Sequence, residues 1–229
     1  MDMKRFEEIV NYRRAVRKYD QSFPFDHSIV RKCLEMATLA PNSSNMQLWE
    51  FHRVIDDNKL VEMKQCCLGQ NAAKTANELI AFVTTPHKWQ QRADMNAAVI
   101  RKAFEGKPNV PQHVYDYYEK DMPHLYAGRG LIEYKGLADD AGNALREQDV
   151  RVILNKSAAL AAMTFMYAMA EAGYDTCPME GFEEEPIKQL LNLPKEAEVC
   201  MVISCGKRLP EGVYGKRLRV DCSDVIIEH

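Results

Sequence analysis

The sequence predicts an α+β fold built as one domain. Amphipathic helical stretches and short apolar strand-like stretches alternate irregularly along the chain, and they do not form repeating strand–helix units. A Rossmann dinucleotide-binding unit is not indicated, because Gly128-Arg129-Gly130 lacks a third glycine and a preceding strand. The length of 229 residues fits a single domain, 1–229, with ample apolar material for a core.

The first half of the chain opens with two predicted helices, 3–12 and 26–39. In the second, apolar side chains recur at helical spacing and form one face. The predicted elements that follow are a polar loop at 41–48, a strand at 50–55, a helix capped by Asp57, a short helix around Ala72 and a strand at 79–84.

The second half is predicted to begin with a helix at 88–104. Residues 106–142 follow as an irregular excursion, rich in Pro, Gly and Tyr, with one helix around 111–120. The longest helix, 145–172, is stopped by Gly173, and a helix at 184–192 and a strand at 198–205 complete the core. Residues 158–170 are apolar all round, so we expect this helix to be buried on every face.

Composition excludes several classes of protein. The 30 basic and 33 acidic residues give a formal charge of −3, which does not fit a generally basic nucleic-acid binder. The N-terminus lacks a signal-peptide apolar region and the apolar run 158–170 is too short to span a bilayer, so we expect a cytoplasmic protein without membrane contact. Seven cysteines without CxxC spacing, and histidines that form no ligand pair with them, indicate no metal site.

A basic cluster, Arg13-Arg14-Ala15-Val16-Arg17-Lys18, follows the first helix. A guanidinium is a planar, permanently charged fork that suits a phosphate. The alternative is a solvated helix end, where basic side chains interact favourably with the helix dipole.

A run of amides and hydroxyls, Asn42-Ser43-Ser44-Asn45-Met46-Gln47, follows the second helix. Asn and Gln side chains offer a donor and an acceptor together, as the edge of a polar heteroaromatic ring requires. These residue types also favour a plain helix-stop loop. Together the two segments suggest a cofactor that carries both a phosphate and a ring.

In this order and spacing, the two segments resemble the nitroreductase family of flavin enzymes. The resemblance continues through Asn71-Ala72-Ala73-Lys74, which matches a family Asn-x-x-Lys, and through 174–182, which matches the family's loop beneath the flavin. The strand at 199–204, Gly206 and the basic pair Lys216-Arg217 match the family's C-terminus. Two positions depart from the family pattern: Ala15 replaces the usual Ser, and Leu48 replaces the usual Pro.

The resemblance implies an FMN site with a defined set of contacts. Arg13 and Arg14 would meet the phosphate region, while Arg17 and Lys74 would place cations at the flavin pyrimidine. The backbone of Glu180 and Gly181 would lie near flavin N5, where the hydride is carried. The full set of implied cofactor-binding residues is Arg13, Arg14, Ala15, Arg17, Ser43, Asn45, Gln47, Asn71, Lys74, Pro178, Met179, Glu180, Gly181, Lys216 and Arg217.

The resemblance also implies the architecture and the reaction. The fold would be a mixed, mainly antiparallel sheet wrapped by helices, in an obligate homodimer with flavin sites at the interface and residues 207–229 wrapping the partner. NADH or NADPH would reduce FMN, and a small-molecule acceptor (nitroaromatic, quinone or flavin) would then be reduced in a ping-pong mechanism. Two alternatives stay open at this point: a flavin carrier without turnover, and a specialised branch that fragments flavin or removes halogen.

Overall fold

The computed structural model describes residues 3–127 and 147–229. Four strands form one sheet in the order β1-β2-β4-β3, where the strands are β1 (Trp49–Val54), β2 (Glu78–Thr84), β3 (Asp175–Met179) and β4 (Glu198–Gly206). Each of the three strand pairings is antiparallel. The mainly antiparallel sheet is therefore confirmed. Among the described residues, the parallel pairing is an isolated bridge between Ala15 and Thr176.

Strand β3 corrects the sequence prediction, which treated residues 174–182 as a loop. Pro178 made this segment look like a turn, since proline cannot donate to a strand ladder. In the structure β3 lies at the sheet edge and pairs with β4, so the missing N–H of Pro178 leaves no gap in the ladder. The loop itself is reduced to Glu180 and the residues that follow it.

The predicted helices are present, with shifts at their ends. The cap of the third helix is Asp56, which accepts a hydrogen bond from the Lys59 N–H at 3.0 Å, and not Asp57. The single helix expected at 111–120 is divided by a π-helical turn at Tyr117–Asp121. The helices are α1 (Met3–Tyr12), α2 (His27–Ala37), α3 (Asp57–Cys66), α4 (Asn71–Lys74), α5 (Trp89–Ala103), α6 (Gln112–Asp116), α7 (Met122–Ala127), α8 (Glu147–Glu171) and α9 (Glu184–Leu190).

Helix α8 ends at Glu171, and Gly173 stops it as predicted. This glycine has φ +78°, its N–H donates to the Ala170 carbonyl, and the Tyr174 N–H donates to the Met169 carbonyl at 2.9 Å. These two bonds satisfy carbonyls that the helix end would otherwise leave free. The predicted start at residue 145 and the excursion residues 128–142 lie outside the described part of the chain.

Burial of α8 is incomplete within the chain. The helix packs against α2 and one face of the sheet, with Ala161, Phe165 and Met169 fully buried. Leu160 nevertheless keeps 48% of its surface exposed and Val152 keeps 46%. The expectation of burial on every face is therefore not met by this chain alone. Residues Val150–Glu171 are long and apolar enough to cross a membrane, but half of that window is buried inside the protein.

Residues 13–20 are held between β3 and the segment that leaves β4. Tyr19 is the anchor: its ring is buried against Gly206, and its hydroxyl contacts the Ser204 side chain at 2.9 Å and the Ser204 carbonyl at 3.1 Å. The Lys18 carbonyl accepts from the Leu209 N–H at 3.2 Å, and the Asp20 N–H donates to the Lys207 carbonyl at 2.7 Å. These contacts fix the position of the basic cluster relative to the sheet.

Gly206→Ala should therefore destabilise the protein. A Cβ at this position would lie 2.6 Å from the Tyr19 ring, which cannot move without leaving its buried site. We expect a loss of about 1–3 kcal/mol in the free energy of unfolding, measured by urea denaturation. Gly181→Ala is the control, because its Cβ would meet the flexible end of Gln70 at 3.3 Å. An equal loss for both variants would contradict the anchoring role of Tyr19.

Candidate functional site

Arg13, Arg14 and Arg17, hereafter the cationic strip, lie along the outer edge of β3. The Val16 N–H donates to the Thr176 carbonyl at 3.1 Å, and the Arg17 N–H donates to the Gly212 carbonyl at 2.6 Å. Ala15 forms a parallel β-bridge to Thr176, so its role here is carried by its backbone. The strip is thus held on both sides by main-chain hydrogen bonds.

The strip concentrates positive charge that no acid of the described residues neutralises by an ion pair. Within residues 3–127 and 147–229, no acidic side chain forms an ion pair with Arg13, Arg14, Arg17 or Lys74. Partial burial lowers the pKa of Arg13, and the neighbouring guanidiniums of Arg217, Arg219 and Arg14 lower it further. Cations placed this close together and partly desolvated create a favourable position for an anion.

The segment that carries Lys74 lies next to the segment that carries Gly181. The Gln70 side chain donates to the Gly181 carbonyl at 2.6 Å, and a Cβ on Gly69 would lie 3.5 Å from the Lys74 Nζ. The backbone N–H groups of Glu180 and Gly181 donate to no acceptor in the described residues. Pro178 is half-buried and the Met179 side chain is buried in the core, so Met179 can offer a ligand only its backbone.

The C-terminal segment joins these groups. Arg14 donates to the Gly215 carbonyl at 2.9 Å, and the Asn71 amide lies 3.5 Å from the Tyr214 hydroxyl. Arg217 donates to the carbonyls of Val10 and Arg13, at 2.9 and 2.6 Å, so its guanidinium closes the end of α1. Lys216 is exposed, and no acid within the described ranges pairs with it.

The loop at 42–48, hereafter the polar loop, lies at a distance from the strip. The Ser43 N–H donates to Ser157 of α8 at 3.3 Å, whereas Arg13 lies near Tyr167, ten residues further along the same helix. Ten helical residues correspond to about 15 Å. No hydrogen bond among the described residues joins the polar loop to the strip. The fold of the single chain therefore does not place Ser43, Asn45 and Gln47 in contact with Arg13, Arg14 and Arg17.

Several residues around the site carry no signal in the sequence motifs. Gln70, which lies outside the quoted motifs, supports Gly181, whereas Asn42 belongs to the amide and hydroxyl run and accepts a hydrogen bond from the Gln47 N–H at 2.8 Å. Asn96, in α5, contacts Asn45 and Gln47. The sequence offered one signal for Asn96: it is a polar residue on the buried face of an amphipathic helix, where a side chain of this kind needs a hydrogen-bond partner.

Cys177 lies near the strip but is not a reactive thiol in this structure. It is fully buried, and burial raises its pKa, although Arg17 and Arg13 act in the opposite direction. Across the described residues, no group of three His, Cys, Asp or Glu side chains could hold a metal ion.

Comparison with known proteins places the chain in a family. Residues 10–207 match the Nitroreductase family model, and the chain therefore belongs to the nitroreductase family. MhqN of Bacillus subtilis, which carries the name NAD(P)H nitroreductase, is 28% identical over 209 residues, covering 91% of each chain.

Two crystal structures show the same fold. The nitroreductase YdfN of B. subtilis superposes with a TM-score of 0.80 at 26% identity, covering 99% of this chain and 100% of that one. A nitroreductase from Exiguobacterium sibiricum, crystallised in complex with FMN, gives a TM-score of 0.75 at 24% identity, with 98% and 97% coverage.

If the strip is an anion site, inorganic phosphate should stabilise the protein more than chloride does at equal ionic strength. A site with a Kd of about 1 mM would add about 1.4 kcal/mol at about 10 mM phosphate. Thermal unfolding with and without phosphate measures this gain. It should shrink in Arg13→Ala and persist in Arg151→Ala, whose side chain is paired with Glu198. A gain that is the same in both variants would place phosphate elsewhere.

Proposed function

We propose that this protein is an FMN-dependent oxidoreductase of the cytoplasm that uses NADH or NADPH to reduce a small-molecule acceptor. Nitroaromatics, quinones and flavins are the acceptor classes. The observation that carries the proposal is the juxtaposition of the cationic strip, Lys74 and the unbonded N–H groups of Glu180 and Gly181. Family membership and relatives named as NAD(P)H nitroreductases support it.

The residues present fit FMN. Arg13 and Arg14 would hold the single phosphate, with Lys216 as a further cation nearby, and Arg217 would support them through the end of α1. Arg17, Lys74 and Asn71 would face the pyrimidine edge, where their charges and donors stabilise negative charge on the ring. Ser43, Asn45 and Gln47 would supply the hydroxyl and amide contacts. FMN, when bound, supplies the ring that accepts and releases hydride.

The chain's own part in the reaction is to fix charge and geometry. Backbone N–H groups at Glu180 and Gly181 are already in place, so they cost little reorganisation when they donate to the ring edge. A cleft of about 390 Å³ adjoins Glu180, and it is also lined by Met201 and the α8 residues Val152, Lys156 and Ala159. We propose that donor and acceptor occupy such a space in turn.

We further propose that the working unit is a homodimer with two sites at its interface. The exposed apolar side chains of α8, Val152 and Leu160, form a stripe that a second copy would cover. The C-terminal tail adds five exposed apolar side chains that need burial, and we propose that residues 207–229 wrap the partner. These side chains are Leu218, Val220, Val225, Ile226 and Ile227.

Two-fold symmetry would also complete the site. If α8 packs antiparallel against the partner's α8 around residue 162, the Ser157 end of one helix lies opposite the Tyr167 end of the other. The partner's polar loop would then approach this chain's cationic strip, across the gap that one protomer leaves open. Obligate interfaces of this kind bury about 2,000–5,000 Å².

The function predicts a yellow protein with about one FMN per chain, bleached by NADH or NADPH without oxygen. Extraction and chromatography identify the flavin, and an anaerobic acceptor panel follows re-oxidation. Because residues 3–127 and 147–229 form no separate nucleotide-binding domain, donor and acceptor would use one site in turn and should give parallel double-reciprocal plots. Recovery of FAD, or of no flavin after reconstitution, would refute the cofactor. A flavin that stays oxidised with both donors would indicate a carrier.

A further inference from the structure

The polar loop is held in a strained conformation. Ser44, Asn45 and Gln47 have φ values of +52°, +50° and +49°, although none of them is glycine. L-residues with side chains rarely adopt this left-handed region, and they persist there only when the surroundings enforce it. The loop's own hydrogen bond from the Gln47 N–H to the Asn42 side chain supplies part of this constraint, and contacts from outside the loop add to it.

Asn96 of α5 supplies much of it. The residue is only 7% exposed, and its Nδ2 donates to the Asn45 carbonyl at 2.8 Å. Its Oδ1 accepts from the Asn45 side-chain amide at 3.3 Å and from the Gln47 side-chain amide at 3.4 Å. Both polar ends of one buried side chain are thus committed to the loop.

Two tyrosines from the excursion hold the same loop from a second element. The Tyr117 hydroxyl contacts the Ser44 hydroxyl at 2.9 Å, and the Tyr118 hydroxyl donates to the Ser44 carbonyl at 2.9 Å. Both tyrosines lie in the π-helical turn Tyr117–Asp121. The contacts leave the side-chain carbonyl oxygens of Asn45 and Gln47 without a partner in the described residues.

We infer that Asn96, assisted by Tyr117 and Tyr118, is a positioning residue for FMN binding that holds the polar loop in its ligand-binding conformation. By engaging the amide nitrogens, Asn96 turns the carbonyl oxygens of Asn45 and Gln47 outward as acceptors. FMN offers donors to them at its ring N3–H and its ribityl hydroxyls. The inference rests on the proposed function, and it extends the site to the helix and the excursion that carry no family motif.

The test compares Asn96→Ala with Gln91→Ala, an exposed residue on the same helix, and Tyr117→Phe/Tyr118→Phe with Tyr115→Phe. Two quantities are measured: the FMN Kd by fluorescence titration, and hydrogen exchange at residues 42–48 in the FMN-free protein. Asn96→Ala should raise the Kd at least tenfold and speed exchange in the loop. The double tyrosine variant should act in the same direction, and both controls should stay within twofold of wild type.

An unchanged Kd in a folded Asn96→Ala protein, or unchanged exchange at 42–48, would overturn the inference. If Asn96→Ala does not fold, the Tyr117→Phe/Tyr118→Phe variant tests the inference through the same two quantities, the FMN Kd and the hydrogen exchange at 42–48. Wild-type protein that binds no FMN would instead refute the proposed function, and the exchange data would still show separately whether Asn96 holds the loop.

Discussion

The position of the cationic strip depends on the burial of Tyr19 against Gly206. This contact, with the hydroxyl bonded to Ser204, ties residues 13–20 to strand β4 in the middle of the chain's core. The strip would otherwise be an extended segment of like charges, which repel one another. Strand β3 and residues 207–212 then hold it on two sides through backbone hydrogen bonds, so its position does not depend on its charged side chains, of which Arg14 also donates to the Gly215 carbonyl.

The polar loop contacts α8 at Ser157 and Arg13 lies near Tyr167, two positions of the helix that are about 15 Å apart. The helix between them is apolar, and part of it is exposed in the protomer. A second copy packed on that surface would bury the exposed apolar side chains of α8 and of the C-terminal tail. It would also bring the polar loop of one chain to the cationic strip of the other. Cofactor binding and assembly would then be one event, since each chain would hold only part of a site.

Much of the fold could be predicted from local pattern. Periodicity located α2, α5 and α8, and Gly173 marked the end of α8, because these signals depend on residues near one another in sequence. Strand β3 was missed because Pro178 is acceptable only at a sheet edge, and edge position is a property of the whole sheet. The cap at Asp56 was misplaced by one residue for a smaller reason, since Asp56 and Asp57 carry the same side chain.

The candidate site was predictable to a similar extent. The motifs identified the chemistry of Arg13, Arg17 and Lys74, whose charge is a property of the residue itself. They could not indicate that Arg217 is engaged by carbonyls of α1, because that contact joins residues more than 200 positions apart. Nor could they indicate Asn96, which acts on the polar loop through tertiary packing.

Mixed dimers test most directly whether each site is shared between two chains. One chain would carry Arg13→Ala/Arg17→Ala and the other Asn45→Ala/Gln47→Ala, with different tags so that the heterodimer can be purified. In a shared arrangement, one of its two sites has both defects and the other has none. The heterodimer should then bind about one FMN per dimer, while both parent homodimers bind little. A heterodimer as empty as its parents would show that each site lies within a single chain, and it would contradict the account.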